Sequence, residues 1–220
     1  MASVPADAKS NMNVEHPTDA VRALFQSSFP TVERFAELLV AEGELRGLIG
    51  PRELPRLWSR HIVNSAAVLD FIPEHAQMLD IGSGAGFPGI VVAIARPDVD
   101  VHLVEPMARR CDWLEHVRSE LDIKNVTIHE VRAEQLHGEG QSDIVTARAV
   151  ANLKKLIPLA MPLVMSGGSM LALKGRKAAD EVSASRPLFR RFQVDKVDIH
   201  EVASPMEDES TRVVELHKRR

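Results

Sequence analysis

Apolar residues in the first third of the chain recur at the three- and four-residue spacing of an amphipathic helix. The pattern covers residues 18–48, and its apolar face consists of Val32, Phe35, Leu38 and Leu39. Charged residues lie opposite, so this helix is predicted to pack one side on a core. Thr31, directly after Pro30, is the predicted cap. Gly50-Pro51 breaks the pattern, and a second helical stretch is predicted over residues 54–71.

The pattern changes after Pro73, where short β-type runs alternate with helical segments. The predicted strands are 78–81, 101–104, 126–131, 144–147, 169–174, 194–199 and 213–216. This alternation indicates βαβ units and a mainly parallel sheet. No helix separates the last two strands, which predicts an antiparallel hairpin at the sheet edge. The fold class is α/β, with a flexible tail over 1–17, a helical extension over 18–72 and a main domain over 73–220, packed as one unit.

Composition and charge narrow the class of protein. The chain has 220 residues, of which 45% are apolar and 26% charged, as in an ordinary folded protein. No apolar run reaches the roughly 18 residues of a membrane span, and a single cysteine fits a reducing, cytoplasmic setting without a thiolate metal cluster. No metal site is predicted. The formal net charge of −4 argues against a general RNA coat.

A glycine loop after the first predicted strand is the most informative segment. Gly82, Gly84 and Gly86 follow Asp80, and a helix is predicted from about Pro88. Glycine lets the backbone turn sharply and approach a ligand, and the helix N-terminus is expected to direct N–H groups at an anionic group of that ligand. A dinucleotide fingerprint requires a third glycine at position 87, which is Phe87. The loop resembles motif I of class I S-adenosylmethionine-dependent methyltransferases.

Acidic residues follow the next two strands. Glu105 ends the second strand, at about the distance from the loop where a carboxylate meets ribose hydroxyls. Ala133 and Glu134 follow the third strand, where this fold encloses the adenine. A solvated surface carboxylate is the alternative reading for both acids.

Four further blocks make the resemblance specific. They are Arg60-His61-Ile62-Val63-Asn64-Ser65, the run from Leu79 to Ile90, Thr146-Ala147-Arg148-Ala149, and Leu171-Ala172-Leu173-Lys174-Gly175. Together they resemble the ribosomal RNA small subunit methyltransferase G family, also called glucose-inhibited division protein B, over residues 31–216.

The resemblance implies methyl transfer from S-adenosylmethionine to N7 of a guanine in 16S ribosomal RNA. It implies cofactor contacts at Gly82, Phe87, Ala133, Glu134 and Arg148, while Gly84, Gly86 and Glu105 follow the general methyltransferase pattern. The family usually has aspartate where this chain has Asn64, which leaves open any role that needs a charge there.

Basic residues fall at predicted strand ends. Arg132, Arg148 and Lys174 end strands three, four and five, so they are expected on one rim. Arg212 joins them only if the last strand runs in reverse. We predict RNA contacts for Arg60, Arg132, Lys174 and Arg212, with salt bridges to nearby acids as the alternative. The predicted catalytic residues are Arg148, Lys174 and His61, which could stack on the base.

The chemistry agrees with this reading because N7 of guanine has a free lone pair and needs no catalytic base. Cys111 lies in a predicted helix and is expected to pack rather than attack a pyrimidine. The expected partner is 16S RNA or the small ribosomal subunit, bound by a monomer that does not enter a membrane. The alternatives are a methyltransferase of the same fold with another RNA or small-molecule substrate, a nicotinamide-dependent oxidoreductase, and a binding module that has lost catalysis.

Overall fold

The computed structural model describes residues 14–206 and 210–220. The predicted tail over residues 1–17 lies mostly outside the described residues, which include only 14–17 of it.

The first predicted helical stretch consists of two helices. Helix α1 (Asp19–Phe25) is capped by Thr18, whose side chain accepts a hydrogen bond from the Val21 N–H. Helix α2 (Phe29–Glu42) begins at Phe29, so the predicted cap at Thr31 is wrong. Pro30 occupies its first turn, where a missing N–H breaks no helical hydrogen bond. The four predicted apolar-face residues of α2 are at most 5% exposed.

The second predicted stretch is not one regular helix. It consists of a 3₁₀ turn (Leu54–Arg56), a π-helix (Leu57–Val63), the short α3 (Asn64–Ala66) and a further 3₁₀ turn (Leu69–Phe71). The π-helix buries Trp58 and Ile62 in the core, while Arg60 and His61 line a cavity at the strand ends. This segment therefore joins the core to the candidate site.

In the described part of the chain, seven strands form one sheet in the order β3-β2-β1-β4-β5-β7-β6. They are β1 (Gln77–Ile81), β2 (Asp100–Val104), β3 (Val126–His129), β4 (Ser142–Arg148), β5 (Val164–Lys174), β6 (Val194–Val202) and β7 (Thr211–Lys218). The pairs among β1 to β5 are parallel. Strand β7 is antiparallel to both β5 and β6, which confirms the hairpin. The register pairs Lys174 with Arg212, so β7 begins at the rim where the parallel strands end.

Helices cover both faces of the sheet. One buried cluster joins α2, the π-helix, α4 (Gly89–Ala95) and α5 (Ala108–Glu120) to residues such as Met78. The other joins α6 (Leu153–Ala160) and α7 (Ala178–Phe189) to residues such as Leu79. Adjacent strand residues thus face opposite layers, as the pleat requires. The carboxyl ends of β1 to β5 are left facing the N-terminal helical segments and the loops.

Among the described helices, none combines the length and the apolar character needed to cross a bilayer.

Candidate active site

The glycine loop turns tightly at the end of β1. Gly82 has φ +70° and Gly84 has φ +55°, a left-handed region that L side chains disfavour. The Gly82 N–H donates to the Val104 carbonyl at 2.8 Å, which ties the loop to the end of β2. Both glycines line a cavity of about 580 Å³, which we call the glycine-loop cavity; Phe87, Glu105, Ala133, Glu134 and Arg148 line it too.

Gly86 differs from the other two glycines because it faces the core. It does not line the glycine-loop cavity, and a Cβ added there would lie 2.8 Å from Ile90 and 3.2 Å from Phe35. The cofactor contact predicted for Gly86 therefore has no support in this geometry. Its role is to let the loop pack tightly on the helical layer.

The predicted anion site at the start of the following helix is not present in α4. The Gly89 N–H donates to Oδ2 of Asp80 at 3.1 Å, so a side chain of the protein already occupies it. Asp80 is completely buried and also accepts a hydrogen bond from the Thr146 hydroxyl. Burial raises the pKa of Asp80 to about 6. This carboxyl group joins the end of β1 to the start of α4 and to β4.

Glu105 is 1% exposed and organises the opposite wall of the glycine-loop cavity. Its Oε2 accepts the Gly84 N–H at 3.0 Å and its Oε1 accepts the Met107 N–H at 3.1 Å. Arg110 lies 3.6 Å from Oε2. Each carboxylate oxygen has a second lone pair, so Glu105 can still accept hydrogen bonds from a diol.

Residues after β3 close the far end of this cavity. A 3₁₀ turn over Ala133–Leu136 follows the strand, with Ala133 buried and Glu134 exposed. Arg132 is exposed at the same mouth. Backbone groups and one carboxylate thus lie where the sequence predicted an adenine contact.

A chain of polar contacts joins Arg148 to the π-helix. Nη2 of Arg148 donates to Nδ1 of His61 at 2.8 Å, and Nε2 of His61 lies 3.1 Å from Oε2 of Glu53. Burial, followed by the positive charge of Arg148, lowers the pKa of His61 to about 4. Burial also lowers the pKa of Arg148 to about 10. At neutral pH, Arg148 is therefore charged, and His61 is neutral with its proton on Nε2.

The Arg148 guanidinium is also held from two other sides. Its Nη1 donates to the Arg60 carbonyl at 3.1 Å and to Oδ1 of Asn64 at 3.4 Å. The guanidinium carbon lies 4.7 Å from the centre of the Phe87 ring, a cation–π distance. Phe87 in turn stacks on His61, with ring centres 5.3 Å apart. These contacts fix the side chain in one orientation.

A second cavity of about 690 Å³ lies between the π-helix and the strand ends. We call it the strand-end cavity; Arg60, Asn64, Lys174 and Thr211 line it. The two cavities share four lining residues, which are Glu53, His61, Arg148 and Ala149. The structure therefore places Arg148 and His61 between two adjoining spaces.

The remaining predicted basic residues already have partners within the protein. Nζ of Lys174 donates to the Ala151 carbonyl at 2.6 Å and lies 3.0 Å from Glu181. Arg60 lies 3.0 Å from Glu53, with 55% of its side chain exposed. Arg212 lies 3.0 Å from Glu201. The rim predicted from strand ends exists, although salt bridges of the predicted alternative kind occupy it in part.

Cys111 is buried, and its thiol donates to the Glu105 carbonyl at 3.0 Å. Burial raises its pKa to about 11, so the thiolate needed for nucleophilic attack is disfavoured. The packing role predicted for this residue agrees with the structure.

Comparison with known proteins gives the family. The family model described as rRNA small subunit methyltransferase G matches residues 29–210. The protein of that name from Beutenbergia cavernae is 50% identical over 201 residues, which are 91% of this chain and 95% of that protein. The one from Thermobifida fusca is 48% identical over 200 residues, 91% and 84% of the two chains. The chain belongs to the rRNA small subunit methyltransferase G family.

Solved structures of lower identity show the fold. TYW2 of M. jannaschii, solved in complex with AdoMet, aligns with a TM-score of 0.56 and 14% identity over 71% of this chain and 74% of that one. A SAM-dependent O-methyltransferase from Thermotoga maritima aligns with a TM-score of 0.56 and 14% identity, over 72% of this chain and 64% of that one. The predicted class I methyltransferase fold, with its Rossmann-like sheet, is confirmed.

Members of the rRNA small subunit methyltransferase G family are S-adenosylmethionine-dependent enzymes, so the predicted enzyme class and cofactor are confirmed. The glycine-loop cavity fits this cofactor. Its volume is in the usual range for small-molecule sites, the buried Glu105 has free lone pairs for a ribose diol, and a Cβ on Gly84 would meet only the Gly82 oxygen, at 3.7 Å. That side of Gly84 is therefore open to a ligand.

Two site residues were absent from the sequence-based prediction. Glu53 contacts both Arg60 and His61, and the Thr211 hydroxyl accepts a hydrogen bond from Nδ2 of Asn64 at 2.8 Å. Glu53 lies before an irregular turn, so no helical spacing links it to His61. Thr211 is 147 positions from Asn64, a separation that no local pattern reveals.

Proposed function

We propose that this chain transfers the methyl group of S-adenosylmethionine to N7 of a guanine in 16S ribosomal RNA. The observation that carries the proposal is the junction of the two cavities at Arg148 and His61. A methyl donor and its acceptor must meet at one point, and two adjoining cavities with a fixed cationic side chain between them provide that point.

The glycine-loop cavity holds the cofactor in this proposal. Gly82 and Gly84 form the turn that approaches it, Glu105 accepts hydrogen bonds from the ribose hydroxyls, and Ala133 with Glu134 borders the adenine. Phe87 and Arg148 border the reactive end. When bound, S-adenosylmethionine supplies an electrophilic methyl group on its sulfonium centre.

The strand-end cavity holds the guanine. Arg148 has an Nε–H that makes no hydrogen bond to the described residues. Such a donor suits O6 of guanine, which is an acceptor beside N7, and leaves the N7 lone pair free for the methyl group. No proton has to leave N7 before it attacks, so positioning and the exclusion of water account for the rate. His61 is not a general base here, since Arg148 occupies its Nδ1 and Glu53 its Nε2.

RNA binding is assigned to the rim. Arg60 and Arg132 are exposed beside the two cavities and can contact phosphates, and Arg212 lies at the same end of the sheet. The partner is 16S RNA or the small ribosomal subunit, and we propose that a monomer acts on it in the cytoplasm.

Methyl transfer to under-methylated RNA tests the proposal. The protein, labelled S-adenosylmethionine and either 16S RNA or small subunits that lack the modification are incubated, and the nucleosides are analysed by mass spectrometry. We expect label in 7-methylguanosine at one position of 16S RNA. Label in another nucleoside, or in a small molecule, would favour a different substrate of the same fold.

Isothermal calorimetry separates the remaining alternatives. A clean S-adenosylhomocysteine isotherm without transfer to any RNA would indicate a binding module. Tight NAD(H) binding without S-adenosylhomocysteine binding would indicate an oxidoreductase.

A further inference from the structure

The side chain of Lys174 borders the strand-end cavity but is mostly buried. It is 10% exposed, and its ammonium contacts the Ala151 carbonyl at 2.6 Å and Oε2 of Glu181 at 3.0 Å. Two of its three N–H donors are thus engaged. Only the third donor is left for a phosphate, and it belongs to a side chain that is mostly buried.

Glu181 lies in the first turn of α7 and connects three elements. Its Oε2 accepts the Leu153 N–H, the first of α6, at 2.7 Å as well as the Lys174 ammonium. One carboxylate therefore joins the end of β5 to the start of α6. Both bonds are charge-assisted, and such bonds are about twice as strong as neutral ones.

The segment that these two residues hold is the loop between β4 and α6, residues 149–152. Ala149 has φ +57° and lines both cavities. Val150 packs on the glycine loop, where a Cβ added to Gly82 would lie 2.8 Å from its Cγ2. The loop is thus a wall between the two cavities, and its non-glycine residue at positive φ needs support from its surroundings.

We propose that Lys174 and Glu181 are positioning residues. They hold loop 149–152 against the glycine loop, so that the glycine-loop cavity and the strand-end cavity adjoin in the geometry that methyl transfer requires. The expected effect on methyl transfer rests on the proposed function. The expected effect on the glycine-loop cavity, and so on cofactor binding, does not depend on which substrate is methylated. It differs from the phosphate contact predicted for Lys174 because the ammonium acts on a backbone carbonyl and a carboxylate of the protein.

The experiment compares Glu181→Ala, Glu181→Gln and Lys174→Met with the matched control Asp180→Asn. Asp180 is the exposed neighbour of Glu181 on the same helix, and it makes none of these contacts. For each variant, the Kd for S-adenosylhomocysteine is measured without RNA, at a temperature well below the melting temperature of that variant. The kcat for methyl transfer and the slope of log RNA affinity against log salt are then determined.

For Glu181→Ala we expect a weaker S-adenosylhomocysteine Kd and a kcat lower by about tenfold or more, since small misplacements are costly in preorganised sites. Glu181→Gln keeps an acceptor for the Leu153 N–H and should recover part of both. Lys174→Met should weaken cofactor binding without changing the salt slope, whereas loss of a phosphate contact would lower that slope by roughly 0.7–0.9. Asp180→Asn should match the wild type.

Two results would overturn the proposal. One is a lower melting temperature for Glu181→Ala with cofactor Kd and kcat unchanged, which would mean that the contact only stabilises the fold. The other is a reduced salt slope for Lys174→Met with normal cofactor binding, which would make Lys174 a phosphate ligand. Failure of the proposed function itself would appear separately, as a wild-type protein that binds S-adenosylhomocysteine but methylates no RNA.

Discussion

Gly84 and Gly86 lie in the same loop but have different surroundings, so the two residues have different roles. Gly84 has open space beside its Cα on the cavity side, and its N–H donates to Glu105. Gly86, at φ +106°, lies directly against Ile90 and Phe35. A side chain at Gly84 would therefore extend toward the cofactor, whereas one at Gly86 would enter the core.

Substitutions at these two glycines should separate binding from stability. Gly86→Ala should lower the free energy of unfolding by about 2–4 kcal/mol, from positive-φ strain together with overpacking. Gly84→Leu should cost only the strain of about 1–2 kcal/mol, yet it should abolish S-adenosylhomocysteine binding because the side chain fills the cavity. Urea unfolding and calorimetry measure the two effects. Equal losses of stability in both variants would contradict this distinction.

His61 is held neutral, and this has a consequence for pH dependence. Its pKa is lowered from 6.5 to about 4 in the folded protein. Between these values the unfolded chain binds a proton that the folded protein does not, so His61 reduces stability as pH falls from 6.5 toward 4. At pH 5 the reduction is about 2 kcal/mol.

A His61→Gln variant should lack this reduction. The free energy of unfolding, measured by urea at pH 7 and pH 5, should therefore fall by about 2 kcal/mol less in the variant than in the wild type. The ring protons of His61 should show no NMR titration between pH 8 and pH 5.5. A midpoint near 6.5 would contradict the burial and the Arg148 contact as causes of the low pKa.

At the scale of elements, the spacing of apolar residues and the alternation of strand and helix patterns are local signals in the sequence. They therefore predicted the seven described strands and helices α2, α4 and α5. The predicted and observed strand ends differ most at β5. This strand begins at Val164 and not at 169, because its first five residues precede the apolar run on which the prediction was based. The π-helix was not predicted. Its wider helical turn depends on contacts with residues far away in the sequence, which no local pattern shows. Glu15, for example, accepts the Ser59 N–H across 44 positions.

The candidate site shows the same division. The glycine loop, Glu105 and Arg148 were predicted because motif and strand-end position are encoded locally. The orientation of each side chain was not, since it depends on partners from other elements. Lys174 lies at the predicted strand end, but Glu181 and the Ala151 carbonyl decide where its ammonium points. The Asn64 contact with Thr211 depends on the antiparallel placement of β7.

At the scale of the whole molecule, the net charge of −4 is the sum of the charges on surfaces that differ from one another. Arg60, Arg132 and Arg148 lie around the two cavities, at the carboxyl ends of the parallel strands. The α5–β3 loop lies at the opposite end of the sheet, where Lys124 forms an ion pair with Asp122. A net acidic protein limits non-specific attraction to phosphate, while a local basic rim can still bind one RNA site.

This separation predicts that only rim charges contribute to the salt dependence of RNA binding. Arg132→Ala should weaken binding to the substrate RNA and lower the slope of log affinity against log salt by roughly 0.7–0.9, the value of one lost phosphate contact. The Kd for S-adenosylhomocysteine should stay nearly unchanged, because the guanidinium is exposed at the cavity mouth. Lys124→Ala removes the same charge at the other end of the sheet and should leave the slope unaltered. Fluorescence anisotropy between 50 and 200 mM salt measures both slopes, and equal slopes for the two variants would show that the RNA responds to net charge and not to the rim.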